Sequence, residues 1–309
     1  SFSIRGIGTG GDNPGFEPAV GVFIDGVFRS RAGVALAELP ELERIEVLRG
    51  PQGTLFGRNT SAGALRVFTA QPAFEFGGYA EAMYGNYDQW ELEGAITGPV
   101  NEQFALRLDG GIRKRDGYIQ DANSPRAINN IDRYNLRAQA LLDAGDVTFR
   151  LIGDYYHTDE ACCGAVSIAR GSLFPAIQGI AASQGLVGIY TGPPEDRIQA
   201  VSPNRNYGEQ VKDGGVSGEL NWDLGEVNLT SITAYRKWSA NRDQDIDFSG
   251  IDRAYRDDYH VNINDFTQEL RLQGSAFGGA LDWLIGGFYL NESLTLRDTV
   301  KIGNDGNRY

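Results

Sequence analysis

The sequence predicts an all-β protein whose main body is an antiparallel transmembrane barrel, entered from a shorter mixed α and β region. Three observations carry that prediction. After about residue 72 the chain settles into segments of ten or more residues that alternate apolar with polar side chains, the period of a strand with two unlike faces. The connections between those segments alternate in length, tight turns against long polar stretches. Finally, 41 Gly, 15 Phe and 14 Tyr against only 11 Pro in 309 residues favour β-structure with many turns over a helical bundle.

Residues 1–72 come first and read differently, as short apolar runs broken by Gly and Asp. Asp25-Gly26 is a favoured hairpin turn between "VGVFI" and "VFRS". "ALAELPELERIEVLRG", from Ala35 to Gly50, is the one helical-looking piece. The stretch that follows, Arg49 to Pro72, crowds Gly50, Gly53, Gly57 and Gly63 together and raises the question of a phosphate loop. The Gly-Lys-Ser/Thr ending that such a loop needs is missing. Gly6-x-Gly8-x-x-Gly11 has dinucleotide-fingerprint spacing, but Pro14, Gly15 and Pro18 follow where a helix should start. No nucleotide site survives. The glycines are expected instead at sharp turns with positive φ, with Arg49 and Arg58 supplying charged contacts.

Residues 73–309 carry the barrel pattern. "VSGELNWDL" sets Val216, Gly218, Leu220, Trp222 and Leu224 against Ser217, Glu219, Asn221 and Asp223. "FALRLDGGI" sets Phe104, Leu106, Leu108 and Ile112 against Arg107, Asp109 and Arg113. "YNLRAQALLD" and "FTQELRLQG" repeat the habit, the latter with Glu269 on its polar face. About nine strands fit between Phe76 and Val300. "TGPVNEQ", "DAGD", "DLGE" and "SAFGGA" are the tight turns. Asp116 to Asn130, Asp159 to Val211 and Asp245 to Ile263 are the long polar loops. A soluble sandwich also alternates, but its strands run to about 5–6 residues, whereas a tilted membrane strand needs about 9–11. Nine is an odd number and the chain stops inside a loop, so closure within these residues is not expected.

Composition excludes other classes. A net charge of −13 and a pI near 4.7 argue against nucleic acid, which requires a basic stripe. Of 28 basic residues only Lys114, Lys212, Lys237 and Lys301 are lysines. No run approaches the ~18 apolar residues of a membrane-spanning helix, which leaves β spans open. Neither His157 nor His260 sits near a convincing Ser or Cys nucleophile, so no catalytic set and no cofactor site is expected. "YYHTDEACCG" groups His157, Asp159, Glu160, Cys162 and Cys163, all metal-ligating types, though not at zinc-site spacing. In an oxidising setting the adjacent cysteines would join each other as a vicinal disulfide.

The N-terminal string resembles the plug of the TonB-dependent outer-membrane receptors. "SIRGIG" (Ser3–Gly8), "VGVFIDGVF" (Val20–Phe28) and "LERIEVLRGPQGTLFGRNTSAGALRVFTAQP" (Leu42–Pro72) stand in that family's order. The motif positions are Arg5, Gly6, Asp25, Gly26, Glu43, Arg44, Arg49, Gly50, Pro51, Gly53, Gly57 and Arg58. "RDGYI", "SITAYR" and "TQELRL" resemble the family's barrel phrases. The resemblance implies a 22-stranded barrel filled by an α+β plug, with residues 1–72 the later part of the plug and 73–309 the first nine or so strands. It implies active import of a scarce nutrient, most often a ferric siderophore, across the bacterial outer membrane. TonB would engage an upstream segment that these residues lack. A passive porin, or a soluble β-rich binding or adhesion protein, is the rival reading. By the same resemblance Arg5 and Arg49 would pair with barrel glutamates, Glu269 being the candidate here. Thr9, Gly10, Asp12 and Asn13 on one plug loop, and Arg29, Ser30 and Arg31 on another, would face the ligand.

Overall fold

The computed structural model describes residues 3–8, 14–31 and 39–308. Its first part is a small sheet region. β1 (Ser3–Ile4) and β2 (Ile7–Gly8) pair across a turn at Arg5 and Gly6. β3 (Val20–Ile24), β4 (Val27–Arg29), β5 (Leu42–Arg49) and β6 (Gly63–Thr69) form a four-stranded sheet in the order β4-β3-β6-β5, with β3 parallel to β6. Every residue of β3 is buried, because both faces of that strand are covered. Val22, Ile24 and Val67 pack on one side. On the other, Phe23, Phe28 and Ala64 pack beneath Leu48, Phe56 and the barrel's Leu290.

The helical expectation for Ala35–Gly50 does not hold where it can be followed. Leu42–Arg49 is β5, antiparallel to β6, with Val47 opposite Leu65 and Arg49 opposite Gly63. Ile45 and Val47 alternate with polar Glu46, and short apolar runs of this kind fit a strand as well as a helix. Pairing with the central strand decides between them. The remainder of that expectation, at residues 35–38, lies outside the described residues. Between β5 and β6 a single helical turn, α1 (Gly53–Phe56), occupies the glycine-rich run.

The barrel wall follows as β7 (Gly77–Gly85), β8 (Gln89–Asn101), β9 (Phe104–Arg115), β12 (Ile131–Asp143), β13 (Val147–Glu160), β15 (Gly208–Asp223), β16 (Val227–Asp245), β17 (Ala254–Ala276) and β18 (Leu281–Arg297). These pair antiparallel with their neighbours in chain order. The register sends successive side chains to opposite faces. Arg107, Arg137, Arg150 and Arg236 turn inward and are buried, while Leu108, Leu136, Leu151, Val216 and Leu270 turn outward and are exposed. An inside lined with charge and an outside lined with aliphatic groups is the polarity of a wall solvated by lipid.

Short strands of the rim complete the order: β10 (Ile119–Asp121), β11 (Ala127–Ile128), β14 (Ile198–Gln199) and β19 (Val300–Ile302). β10 pairs with both β11 and β14. Ile119, Ile128, Val201 and Tyr207 form a core beneath these strands. A ten-residue helix, α2 (Phe174–Ser183), packs Ile177 and Ala181 on Ile251. The long connections therefore form a packed crown. The loop expected from Asp245 to Ile263 is shorter than its sequence suggested. β16 continues to Asp245 and β17 starts at Ala254, because polar strand ends go on pairing above the apolar band.

Candidate functional site

Asp25 is the residue on which the two parts of the fold meet. Asp25 and Gly26 have φ of 49° and 76°, the left-handed pair of a two-residue type I′ hairpin. The tip abuts the wall: a Cβ on Gly26 would lie 2.8 Å from the Ile232 side chain. Val27, Ile232 and Ala234 make an apolar contact beside it. The turn leaves the Asp25 carboxylate facing β6 and the inner surface of β12 and β13. Thr69 donates its backbone N–H and its hydroxyl to that carboxylate, each at 2.9 Å. From the wall, Arg137 donates to Oδ2 and Arg150 to Oδ1, the latter at 3.3 Å.

Only 1 % of the Asp25 side chain is exposed, against 7 % and 8 % for its two arginines. A buried carboxylate is costly unless paired and hydrogen-bonded, and here four donors satisfy it. Two guanidiniums on one carboxylate leave an excess positive charge, which the wall balances further along. Arg137 also reaches Asp154 at 3.5 Å. Asp154 in turn accepts from Arg236 at 2.7 Å, and Arg236 donates to Asp213 at 2.8 Å. Gln139 bridges the network back to the hairpin region, accepting from Arg150 at 3.0 Å and donating to the Ala70 carbonyl at 3.1 Å.

Further contacts flank this junction. Near the short turns, Arg107 holds Asp109 and Glu41, each at 2.7 Å. Higher on the wall, the Ser30 hydroxyl donates to Asp265 at 2.8 Å and Arg31 pairs with Glu292 at 3.1 Å. Arg58 pairs with Glu17 and lies 4.0 Å from Glu292. Arg29 is 7 % exposed, and its Nε and Nη1 find no partner. It lines a small cavity with Asp213, Arg236, Trp238 and Asp265.

The predicted residues distribute unevenly around this interface. Arg29, Ser30 and Arg31 sit against the barrel wall, where Ser30 and Arg31 make wall contacts. Thr9, Gly10, Asp12 and Asn13 lie outside the described residues. Glu269 does not join Arg5 or Arg49: its carboxylate lies 2.9 Å from Arg271 on its own strand. No ion pair of Arg5 or Arg49 is found among the described residues, and the Arg49 carbonyl accepts from Gln52. Glu43 and Glu46 both pair with Arg44 on the exposed edge of β5. In the glycine run, Gly50 and Gly57 take φ of 84° and 74°, whereas Gly53 opens α1 next to Pro51. At Gly63 a Cβ would come within 2.3 Å of the Leu48 carbonyl oxygen, so close strand approach excludes a side chain there.

Cys162 and Cys163 are joined as a vicinal disulfide at the rim. The wider metal-ligand grouping around them is not brought together. His157 turns to the outer face, Glu160 pairs with Arg133, and the carboxylate near the sulfurs is Glu209.

The crown has its own buried carboxylate. Asp252 takes both Arg205 nitrogens at 2.8 and 2.7 Å and the Asn304 N–H at 3.0 Å. Burial pushes this carboxyl up, but Arg205 and the Asn304 N–H outweigh it and hold the group below its ordinary value.

Sequence comparison places this architecture. The profile of the TonB-dependent Receptor Plug Domain matches residues 1–64. Those residues resemble a TonB-dependent receptor plug. The pesticin receptor of Yersinia pestis is 31% identical over 102 residues, 33% of this chain and 15% of that protein. The ferrioxamine B receptor of Salmonella typhimurium is 40% identical over 87 residues, 28% of this chain and 12% of that protein. Among solved structures, the ferric yersiniabactin uptake receptor of Yersinia pestis superposes with a TM-score of 0.72 at 17% identity, covering 93% of this chain and 41% of that one. The ferric-catecholate import receptor Fiu of E. coli K12, in its open form, gives 0.64 at 15% identity, covering 89% and 42%. The chain thus spans about two fifths of the solved receptors' length. It shares with them the fold of a plug set against a barrel wall.

Proposed function

We propose that this chain is part of an outer-membrane receptor that binds a ferric siderophore and imports it with energy delivered by TonB. In this reading residues 1–72 are plug and residues 73–309 barrel. The observation that carries it is the Asp25 junction. A passive pore has no use for a globular stopper fastened to its inner wall by a buried carboxylate and two arginines. A stopper that must hold against leakage and yet yield to a pull needs polar contacts, because these can pass to other partners or to water as the surfaces part. The relatives support the substrate class: they include receptors for ferrioxamine B, ferric enterobactin and ferric yersiniabactin, all iron complexes. No step of this work makes or breaks covalent bonds, so the role is transport and not catalysis.

The test is uptake of radiolabelled iron in cells deleted for the gene and complemented with the full-length protein, with and without TonB. Iron accumulation from at least one ferric siderophore that depends on both the protein and TonB is expected. Uptake indifferent to TonB, or no uptake of any iron complex together with unchanged expression on iron starvation, would remove the reading.

A further inference from the structure

The Cys162–Cys163 disulfide joins residues one position apart, so it ties no element of the fold to another. The segment that carries it is nonetheless anchored on both sides. Ala161 donates its N–H to the Asn130 side chain at 2.7 Å, and its carbonyl accepts from the Asn129 N–H, also at 2.7 Å. Beyond the pair, the Gly164 N–H donates to the Asn129 side-chain oxygen at 2.9 Å, and the Asn129 amide donates back to the Gly164 carbonyl at 3.1 Å. Ala165 donates its N–H to Gln199 at 2.8 Å. None of these bonds uses a sulfur. The flanking residues therefore keep their anchors whether the disulfide is closed or open.

A side chain from another strand meets the pair. Glu209 lies near the start of β15, opposite Glu160 at the end of β13, and its Oε2 is 3.0 Å from Cys162 Sγ. A sulfur bonded to sulfur has no hydrogen to donate, so this close approach joins nothing in the oxidised form. Arg242 fixes the carboxylate there by donating to Oε1 at 2.8 Å, which leaves Oε2 beside the sulfurs. The two Sγ atoms and a Glu209 oxygen all lie within 4.8 Å of one another.

Reduction turns this arrangement into a ligand set. Cys163 is exposed, so a small dithiol can attack its sulfur, pass through a mixed disulfide and leave as a cyclic disulfide. Two electrons and two protons pass to Cys162 and Cys163, which become thiols. Deprotonated, two thiolates and one carboxylate set against the Arg242 guanidinium leave two negative charges, which one divalent cation cancels. Sulfur beside carboxylate oxygen suits zinc, which accepts both and completes its tetrahedron with water. Calcium and magnesium take oxygen ligands, and copper(I) selects thiolate and thioether instead of carboxylate.

We propose that reduced Cys162 and Cys163, with Glu209, bind one zinc ion, the thiols losing their protons to solvent as the metal–sulfur bonds form. The metal links Cys162, just past β13, to Glu209, 47 positions further on. It thereby joins the two feet of the long loop, which the disulfide leaves separate. Two-residue steps along β15 lead from Glu209 to Asp213, the partner of inward-facing Arg236, so the site opens on the lumenal side of the crown. It stands independently of the Asp25 junction and of any transported ligand.

The experiment uses the full-length protein in detergent, reduced with dithiothreitol and desalted. Zinc chloride is the probe, and bound zinc is read by competition with a chromophoric chelator. Oxidised protein and the double variant Cys162→Ser with Cys163→Ser are run in parallel. The reduced protein is expected to hold one more zinc ion per chain than either. Glu209→Gln should weaken that zinc at least about tenfold, while cadmium still gives a thiolate-to-metal absorption band. Glu160→Gln, whose carboxylate is held by Arg133, should change it less than about threefold. Hydrogen exchange of residues 161–207 should slow when zinc is added to reduced protein and stay unchanged in oxidised protein. Equal zinc in the oxidised protein or the double variant, unchanged affinity in Glu209→Gln, or a disulfide that dithiothreitol leaves intact in the folded protein would overturn the site. Heat-modifiable migration reports whether each sample is folded, and the comparison of reduced with oxidised protein needs no variant.

Discussion

Asp25 and Asp252 are both buried carboxylates clasped by arginine, yet they fasten different things in different ways. Asp25 ties a hairpin to wall residues 112 and 125 positions away in the chain. Asp252 ties loop to loop, with Arg205 47 positions away and Asn304 52 away. The partners of Asp25 have alternatives: Arg137 already touches Asp154, and Arg150 already donates to Gln139. Withdrawal of the hairpin would leave both guanidiniums with acceptors on the wall. Asp252 has no such arrangement. Its bonds include a backbone N–H, and its neighbour Asp305 accepts the Asp252 N–H and the Gln184 amide in turn. Burial and pairing alone do not make a joint permanent. What the partners can do after release decides whether a joint can open.

The largest effect should come from Asp25→Ala. Removing one member of a buried charge cluster costs about 3–5 kcal/mol, and here the loss falls on docking of residues 20–29. Hydrogen exchange should show those amides opening far faster while the wall strands stay protected. Unchanged protection would mean that the apolar contacts with Ile232 and Leu290 hold the plug by themselves.

Asp252→Asn should cost less, about 1–3 kcal/mol for a weakened buried acceptor, and should loosen the crown without touching the plug. The pH dependence sharpens the same contrast. Asp252 is held below its ordinary value, so its contribution is whole above about pH 5 and fades as pH falls through about 4 and below. Crown amides, followed by exchange between pH 6 and pH 3, should lose protection in that lower range. Crown loosening already at pH 6 would contradict the assignment.

The smallest effect belongs to Glu269. Its partner Arg271 is on the same strand and the pair is partly solvated, so Glu269→Ala should change plug protection by no more than about 1 kcal/mol. A loss as large as that from Asp25→Ala would restore Glu269 to the role its sequence position suggested.

Much of the wall was legible in the sequence, because two-faced strands write their faces as alternation. "FALRLDGGI" and "YNLRAQALLD" already put Arg107, Asp109, Arg137 and Gln139 on one side, and Arg107, Arg137 and Gln139 meet Glu41, Asp25 and Ala70 there. The Asp25-Gly26 turn was equally plain. What alternation could not give was the partner of each inward charge. Asp25 finds Arg137 and Arg150 only because the hairpin enters at one height, and that height depends on packing around Phe23, Phe28 and Leu290. The same limit explains Glu269, whose inward face was correct while its neighbour was not foreseeable. β5 was missed for a local reason: "LERIEVLR" is short enough for either period, and pairing with β6 settled it. Above the apolar band alternation loses contrast, so β16 and β17 ran further into the rim than their polar ends suggested.

The most direct test is a double-mutant cycle between Asp25 and Arg137, using Asp25→Ala, Arg137→Gln and the pair, read as the exchange stability of residues 20–29 in the full-length protein. Strong coupling is expected, with the double variant at least about 1.5 kcal/mol more stable than the sum of the two losses requires. Losses that simply add would show that the carboxylate and the arginine are neighbours without being a joint.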